Sequence, residues 1–230
     1  MHSFGSLRFD YIDGKQGRII MTRKERTLNA IEILKKEYPE AICSLTASNP
    51  FELLVATRLS AQCTDARVNL VTPTLFEKYK TLDDYASADL KDVEEIIKSC
   101  GFYKNKAESI IGMAQKIRDD FGGKVPDNIE DLITLPGVGR KTANLIVGDV
   151  YGKESIVVDT HMIRISNRIG LVDVKEPVKI EAALKKVVPK EEGSAFCHRI
   201  VLFGRDICSA RKPKCDICPM ADNCKKVGVK

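Results

Sequence analysis

The sequence predicts a nearly all-α protein, on three observations. Apolar residues recur at three- and four-residue spacing through most of the chain after Met21, helix-start signatures interrupt that pattern at intervals, and only one short run, Ile156-Val157-Val158, reads as extended. No fixed-period repeat or low-complexity segment is present, which removes solenoids.

Taken in order, Leu7, Phe9 and Tyr11 alternate with Arg8 and Asp10 before an Asp13-Gly14 turn and Arg18-Ile19-Ile20, a weak hairpin pattern. Thr22 with Glu25 forms a capping box for a helix carrying Leu28, Ile31 and Leu34, which Tyr38-Pro39 stops. Asn49, Pro50 and Glu52 supply a cap, a first-turn proline and a reciprocal carboxylate for a helix to about Gln62. Further helices are expected over 65–79, with a kink at Pro73, and over 88–99, 104–121 and 129–134, with Gly101, Gly122 and Gly123 closing two of them. After Leu135-Pro136-Gly137-Val138-Gly139, helices are expected over 140–151, 160–169, 178–188 and 194–205.

Length and composition narrow the class. The 230 residues suffice for one large domain or two small ones, and with 43% hydrophobic and 30% charged residues the chain is neither disordered nor collagen-like. Its longest apolar runs hold four residues, against roughly 20 for a membrane span. The opening Met1-His2-Ser3-Phe4 does not resemble a secretory signal, so a cytoplasmic protein is expected. Net charge is +5, and 196–230 alone carries eight cations against three aspartates. The excess is therefore concentrated at one end, where Arg211, Lys212 and Lys214 are candidates for phosphate contact.

That basic segment is wound around cysteines. Cys208, Cys215, Cys218 and Cys224 fall within 17 residues, with gaps of six, two and five. Four thiolates on so short a loop can enclose one zinc ion or one iron-sulfur cubane, and spacing alone leaves the two open. Cys43, Cys63, Cys100 and Cys197 are widely spaced, and burial as small hydrophobes is expected for them.

Gly137 and Gly139 sit in a turn between two short apolar-faced helices. Glycines permit close approach of a ligand, and the helix start that follows offers free N–H groups to a phosphate oxygen; a tight helix–helix corner is the purely structural explanation. Arg140 and Lys141 then place two cations in a first helical turn, against the helix dipole. They fit phosphate binding, with Thr142 beside them, and Lys141 also fits an amine nucleophile whose charge is disfavoured by its surroundings. Asp159, at the end of the extended run, is both a good N-cap and a carboxylate able to assist proton transfer. His161 reads as a hydrogen-bonding neighbour at the same site.

In order and spacing, Leu135-Pro136-Gly137-Val138-Gly139-Arg140-Lys141-Thr142-Ala143, Val158-Asp159-Thr160-His161 and the four cysteines resemble the endonuclease III family of the helix-hairpin-helix DNA glycosylase superfamily, over about 22–224. The resemblance implies a 4Fe-4S cluster on Cys208, Cys215, Cys218 and Cys224, a catalytic lysine at Lys141 and a catalytic aspartate at Asp159. It assigns Gln62, in Leu59-Ser60-Ala61-Gln62-Cys63-Thr64-Asp65, to filling the hole left by a flipped nucleotide. Phe102, in Gly101-Phe102-Tyr103, takes the place of a second wedge that is commonly leucine.

The implied fold is two-lobed. A helical barrel over 43–153 contains the hairpin at about 129–151, and a second lobe combines 22–42 with 154–230 and its cluster loop 208–224. The implied activity is that of a bifunctional glycosylase and abasic-site lyase. It would remove oxidised pyrimidines from duplex DNA and nick the strand by β-elimination, with damaged or abasic duplex as partner and the protein monomeric. A monofunctional adenine or thymine mismatch glycosylase is the nearest alternative, and generally lacks the lysine at Lys141. A cluster-bearing DNA-binding or redox protein is the alternative of another class. Residues 1–21 match nothing assignable, and Met21-Thr22 reads as a possible start.

Overall fold

The computed structural model describes residues 21–229, which place eleven α-helices and two short 3-10 turns and no strand. The helices are α1 (Arg23–Glu37), α2 (Pro50–Ser60), α3 (Asp65–Lys78), α4 (Leu82–Ala86), α5 (Leu90–Ile97), α6 (Tyr103–Asp120), α7 (Ile129–Leu132), α8 (Arg140–Asp149), α9 (Thr160–Ile169), α10 (Pro177–Lys185) and α11 (Gly193–Asp206). None of them is long and apolar enough to cross a membrane. The expected hairpin over 7–20 lies outside the described residues.

Local chemistry explains most of the boundaries. At α1 the Thr22 amide donates to Glu25 Oε2 (2.7 Å) while the Glu25 amide donates to Thr22 Oγ1 (3.2 Å), so two otherwise orphaned N–H groups satisfy each other's side chains. At α2 the Glu52 amide donates to Asn49 Oδ1 at 2.9 Å. Pro73 lies inside the continuous α3 on its exposed face, where the carbonyl it leaves unbonded can meet water.

One expectation needs correction, and two further features carry little local signal. The helix expected over 88–99 begins at Leu90, capped by Asp89 Oδ1, and tightens into a 3-10 turn over Lys98–Cys100 before Gly101 turns the chain at φ +69°. Between α3 and α5, the five-residue α4 escapes a periodicity search because it is shorter than two turns, although Thr81 and Asp84 form its capping box. Finally, Ile156-Val157-Val158, read as extended, runs between α8 and α9 and has no partner strand among the described residues. Instead, the Ile156 amide donates to Asn144 Oδ1 (3.3 Å) and the Val157 amide to Cys197 Sγ (3.2 Å), so side chains substitute for a ladder.

Burial separates two cores. One gathers Leu54, Val55 and Leu59 of α2, Val68 and Leu75 of α3, Ile97 of α5, Ile110, Met113 and Ile117 of α6, and Ala143, Ile146 and Val147 of α8. The other gathers Ile31 and Leu34 of α1 with Ile165 and Ile169 of α9, Ile180 and Leu184 of α10, and Phe196, Ile200 and Phe203 of α11. Chain from both ends of the described sequence thus shares the second core. The hairpin belongs to the first core, and the segment carrying Asp159 enters the second.

Candidate active site

The hairpin is built by α7, the Leu135-Pro136-Gly137-Val138-Gly139 turn and α8. Gly137 adopts φ +75°, and a Cβ there would lie 2.7 Å from Arg58 Nε and 2.9 Å from Ser109 Oγ. Both backbone conformation and space therefore demand glycine. Gly139 differs: it caps α8 at φ −99° and ψ 173° without a side-chain hydrogen bond, and nothing lies within 4 Å of its would-be Cβ. Its place beside the first amides of α8 is open, as approach of an anion requires.

Arg140 turns away from that opening. Its Nε and Nη2 fork onto Glu181 Oε2 and Oε1 at 2.7 and 2.9 Å, and the Glu181 carboxylate, 5% exposed, also receives Lys185 and Asn144. Burial alone would push the Glu181 carboxyl up, but the Arg140 and Lys185 partners hold it below the usual carboxylate range. Arg140 therefore does not stand beside Lys141 as an unpaired cation. Asn144 spans from Glu181 to the Ile156 amide and so ties α8 to the segment that delivers Asp159.

Lys141, Thr142 and Asp159 line one cleft of about 260 Å³, together with Cys63, His198 and Arg205. Lys141 is exposed and Asp159 half-buried. The cap and site readings of Asp159 coexist, because Oδ1 accepts the Met162 amide at 2.8 Å while Oδ2 has no hydrogen-bond partner among the described residues. A larger cavity of about 670 Å³, lined by Tyr79, Tyr85 and Tyr151, contains none of the candidate catalytic, DNA-contact or cluster residues. Residue chemistry, not size, identifies the site.

His161 packs half-buried against α11, with Nδ1 3.1 Å from Arg164 Nη2, and a Cβ at Gly204 would come within 2.4 Å of that nitrogen. Burial lowers its pKa despite the opposing Asp159 carboxylate, so it is neutral near pH 7. Arg164 in turn donates to the carbonyl of Cys208 at 3.0 and 3.2 Å, a chain of contacts from the cleft to the first cysteine of the loop. His198 Nε2 lies 2.9 Å from Asp149 Oδ2, bridging α11 and α8 at the cleft. Neither Asp149 nor Glu181 carries a local sequence signal, since each acquires its partner only through the fold.

Gln62 and Phe102 are both exposed, Phe102 by 70%. Both also adopt left-handed backbone conformations, at φ +56° and +49°, and only Lys226 does so besides them among the described non-glycine residues. Such conformations cost about 1–2 kcal/mol each, and strain of this kind concentrates at functional sites.

All four cysteines of the basic segment line a single cavity, walled by Ile169, Phe203, Ile207 and Met220. Arg168 Nη1 reaches Cys208 Sγ at 3.5 Å, and the Lys226 amide donates to Cys224 Sγ at 3.3 Å. Burial pushes the Cys218 and Cys224 thiols up, and the neighbouring thiols add to the rise. No three His, Cys, Asp or Glu side chains among the described residues converge as a single-ion site. Four soft donors around one apolar cavity, with cations and amides directed at sulfur, fit an iron-sulfur cluster. Between the first two cysteines, Ser209 Oγ donates to the Lys212 carbonyl at 2.7 Å and holds Arg211 and Lys212 outward, with Lys214 also exposed. Of the four scattered cysteines, Cys100 and Cys197 are buried as expected, whereas Cys43 and Cys63 are half-buried and line the cleft.

Comparison with known proteins agrees with this geometry. Residues 55–190 match the HhH-GPD superfamily base excision DNA repair protein model, and 208–224 match the iron-sulfur binding domain of endonuclease III. The chain is 46% identical to endonuclease III of Synechocystis sp. over 90% of its length and 95% of that protein's. It is 48% identical to that of Bacillus subtilis, over 82% and 87% of the two chains. A solved structure of a trapped covalent endonuclease III–DNA intermediate superposes with a TM-score of 0.84 at 43% identity, covering 90% of this chain and 97% of that one. A thermostable thymine-DNA glycosylase superposes at 0.78 with 26% identity, covering 87% of this chain and 95% of that one. The chain belongs to the endonuclease III family of the HhH-GPD superfamily: it is a base excision repair DNA glycosylase and lyase that carries a 4Fe-4S cluster.

Proposed function

We propose that this enzyme removes oxidised pyrimidines from duplex DNA and nicks the resulting abasic strand through a covalent lysine adduct. The observation that carries the reading is the shared cleft of Lys141 and Asp159, one from the hairpin helix and one from the start of α9. The damaged nucleotide is extruded into the cleft, at a cost that is smaller for a damaged base than for a paired one. Lys141 Nζ, as the free amine, attacks C1′ and the bond to the base breaks, the base leaving with a proton. The unbonded Oδ2 of Asp159 stabilises positive charge on the sugar and passes protons. Ring opening gives an iminium on Lys141. Loss of a proton from C2′ then breaks the bond to the 3′ oxygen, and water releases the lysine.

Gln62 and Phe102 fill the space the nucleotide vacates, with their strained backbones holding both side chains out from the surface. The α8 amides near Gly137 and Gly139, together with Thr142, receive the backbone of the damaged strand. Arg211, Lys212 and Lys214 contact phosphates further along. Arg140, committed to Glu181, and His161, held by Arg164, position the DNA-facing surfaces of α8 and α9. Cys208, Cys215, Cys218 and Cys224 would hold the cluster, and the segment between the first two of them displays these cations. The enzyme acts as a monomer on damaged or abasic duplex and is associated with the nucleoid. A duplex carrying one oxidised pyrimidine tests the reading: the protein should release the base and leave a strand nicked 3′ to the sugar. Base release without a nick would instead indicate a monofunctional glycosylase.

A further inference from the structure

Helix α8 lends Lys141 and Leu145 to the cleft, and α11 lends His198 and Val201. One turn beyond Leu145, Asp149 engages the imidazole: His198 Nε2 lies 2.9 Å from Oδ2 and 3.1 Å from Oδ1, and Ser194 Oγ donates to the same carboxylate. A carboxylate only accepts, so it keeps the ring proton on Nε2 and leaves Nδ1 of the neutral ring as an acceptor. Packing holds the pair in place, with the His198 and Asp149 side chains 17% and 13% exposed. Nδ1 itself has no hydrogen-bond partner among the described residues.

Most other polar side chains of the cleft are already engaged. Thr57 donates to the Leu53 carbonyl at 2.7 Å and Ser60 to the Thr57 carbonyl at 2.9 Å, both within α2. Ser44 donates to Asp65 Oδ2 at 2.6 Å, and Asp65 pairs with Arg205 at 3.5 Å. Beyond the reacting pair and Thr142, His198 Nδ1 is the acceptor left for a bound molecule, in a cleft also lined by apolar Leu145, Val157 and Val201.

We infer that His198 reads the extruded base, its Nδ1 accepting from the donor on the pyrimidine's pairing edge: N3–H in a thymine-derived lesion, the N4 amino group in a cytosine-derived one. Extrusion from the duplex frees that edge, and damage at C5 and C6 leaves it intact, so one acceptor serves both kinds of lesion. Lys141 and Asp149 stand eight residues apart on α8, about 12 Å along its axis. Sugar attack therefore belongs to the start of α8 and base reading to its far end. The inference rests on the removal of oxidised pyrimidines proposed above and names a residue that determines which base is accepted.

The test uses the full chain with its cluster, on duplexes carrying thymine glycol, N3-methyl thymine glycol or an abasic site. The parent should favour thymine glycol over its N3-methyl form by about tenfold or more in kcat/KM, since a site built to pair a donor rejects an analogue without it. His198→Ala should lose about tenfold on thymine glycol and abolish that preference, yet nick the abasic duplex at the parental rate, because no base is present there. His198→Asn offers an acceptor again and should recover part of the preference. Asp149→Asn lets the ring proton move to Nδ1 and should behave like His198→Ala. Equal losses on abasic and base-bearing duplexes would make the side chain structural and overturn the inference, as would an unchanged preference in His198→Ala. The underlying reading fails differently, in the parent itself, if it nicks the abasic duplex but releases no base from thymine glycol, and base reading by His198 falls with it.

Discussion

The two hairpin glycines should respond oppositely to the same substitution. In Gly137→Ala the new Cβ would sit 2.7 Å from Arg58 Nε and 2.9 Å from the Ser109 side chain, at φ +75°. The left-handed backbone costs about 1–2 kcal/mol and forced displacement of packed neighbours about 1–3 kcal/mol, so a loss of about 2–5 kcal/mol is expected. For a chain of this length that lowers Tm by roughly 5–20 °C. In Gly139→Ala the Cβ meets nothing within 4 Å. The fold should lose no more than about 1 kcal/mol, from a poorer cap. Yet DNA binding should weaken, because the methyl group occupies the open space through which a phosphate reaches the α8 amides. Thermal unfolding followed by circular dichroism and titration with abasic duplex separate the two effects. If Gly137→Ala melts with the parent, or Gly139→Ala binds like the parent, the division of labour between these glycines is wrong.

Further predictions follow from the same geometry. Glu181 titrates below its unfolded value, so its contribution to stability is complete above the ordinary carboxylate range and is lost as pH falls through the lowered folded value; Glu181→Gln should flatten that acid limb of the stability curve measured by urea titration. Phe102→Gly removes an exposed side chain from a left-handed position, so Tm should not fall while affinity for abasic duplex drops more than affinity for intact duplex. Lys212→Ala should reduce the log-log salt slope of binding by about one unit, measured by anisotropy across salt, while leaving the cluster absorbance unchanged.

The helical architecture was legible because it rests on local chemistry. Capping at Thr22 and Asn49, the Gly101 stop and the apolar spacing all act within a few residues, and the structure realises them with shifts of up to three positions. The short α4 carries too little length for a periodicity signal, and the β-branched 156–158 run suits an extended chain whether or not a partner strand exists. At the site, Lys141, Thr142 and Asp159 stood out through motifs, and the fold brings all three to one cleft. What stayed hidden depends on distant partners. Nothing near Arg140 indicates that Glu181, 41 residues away, will bind its charge. The strain at Gln62 and Phe102 is equally invisible in a sequence, because neither residue type favours the left-handed region.

The central claim, that Lys141 is the covalent nucleophile with Asp159 as its partner, is tested most directly by borohydride trapping on an abasic duplex followed by peptide mapping of the crosslink. The adduct should map to Lys141, vanish in Lys141→Gln while DNA binding survives, and form slowly in Asp159→Asn. Asparagine still caps α9 but lacks the carboxylate, so turnover should fall by about 10²–10⁴. A crosslink on any other residue, or persistent trapping by Lys141→Gln, would contradict the mechanism.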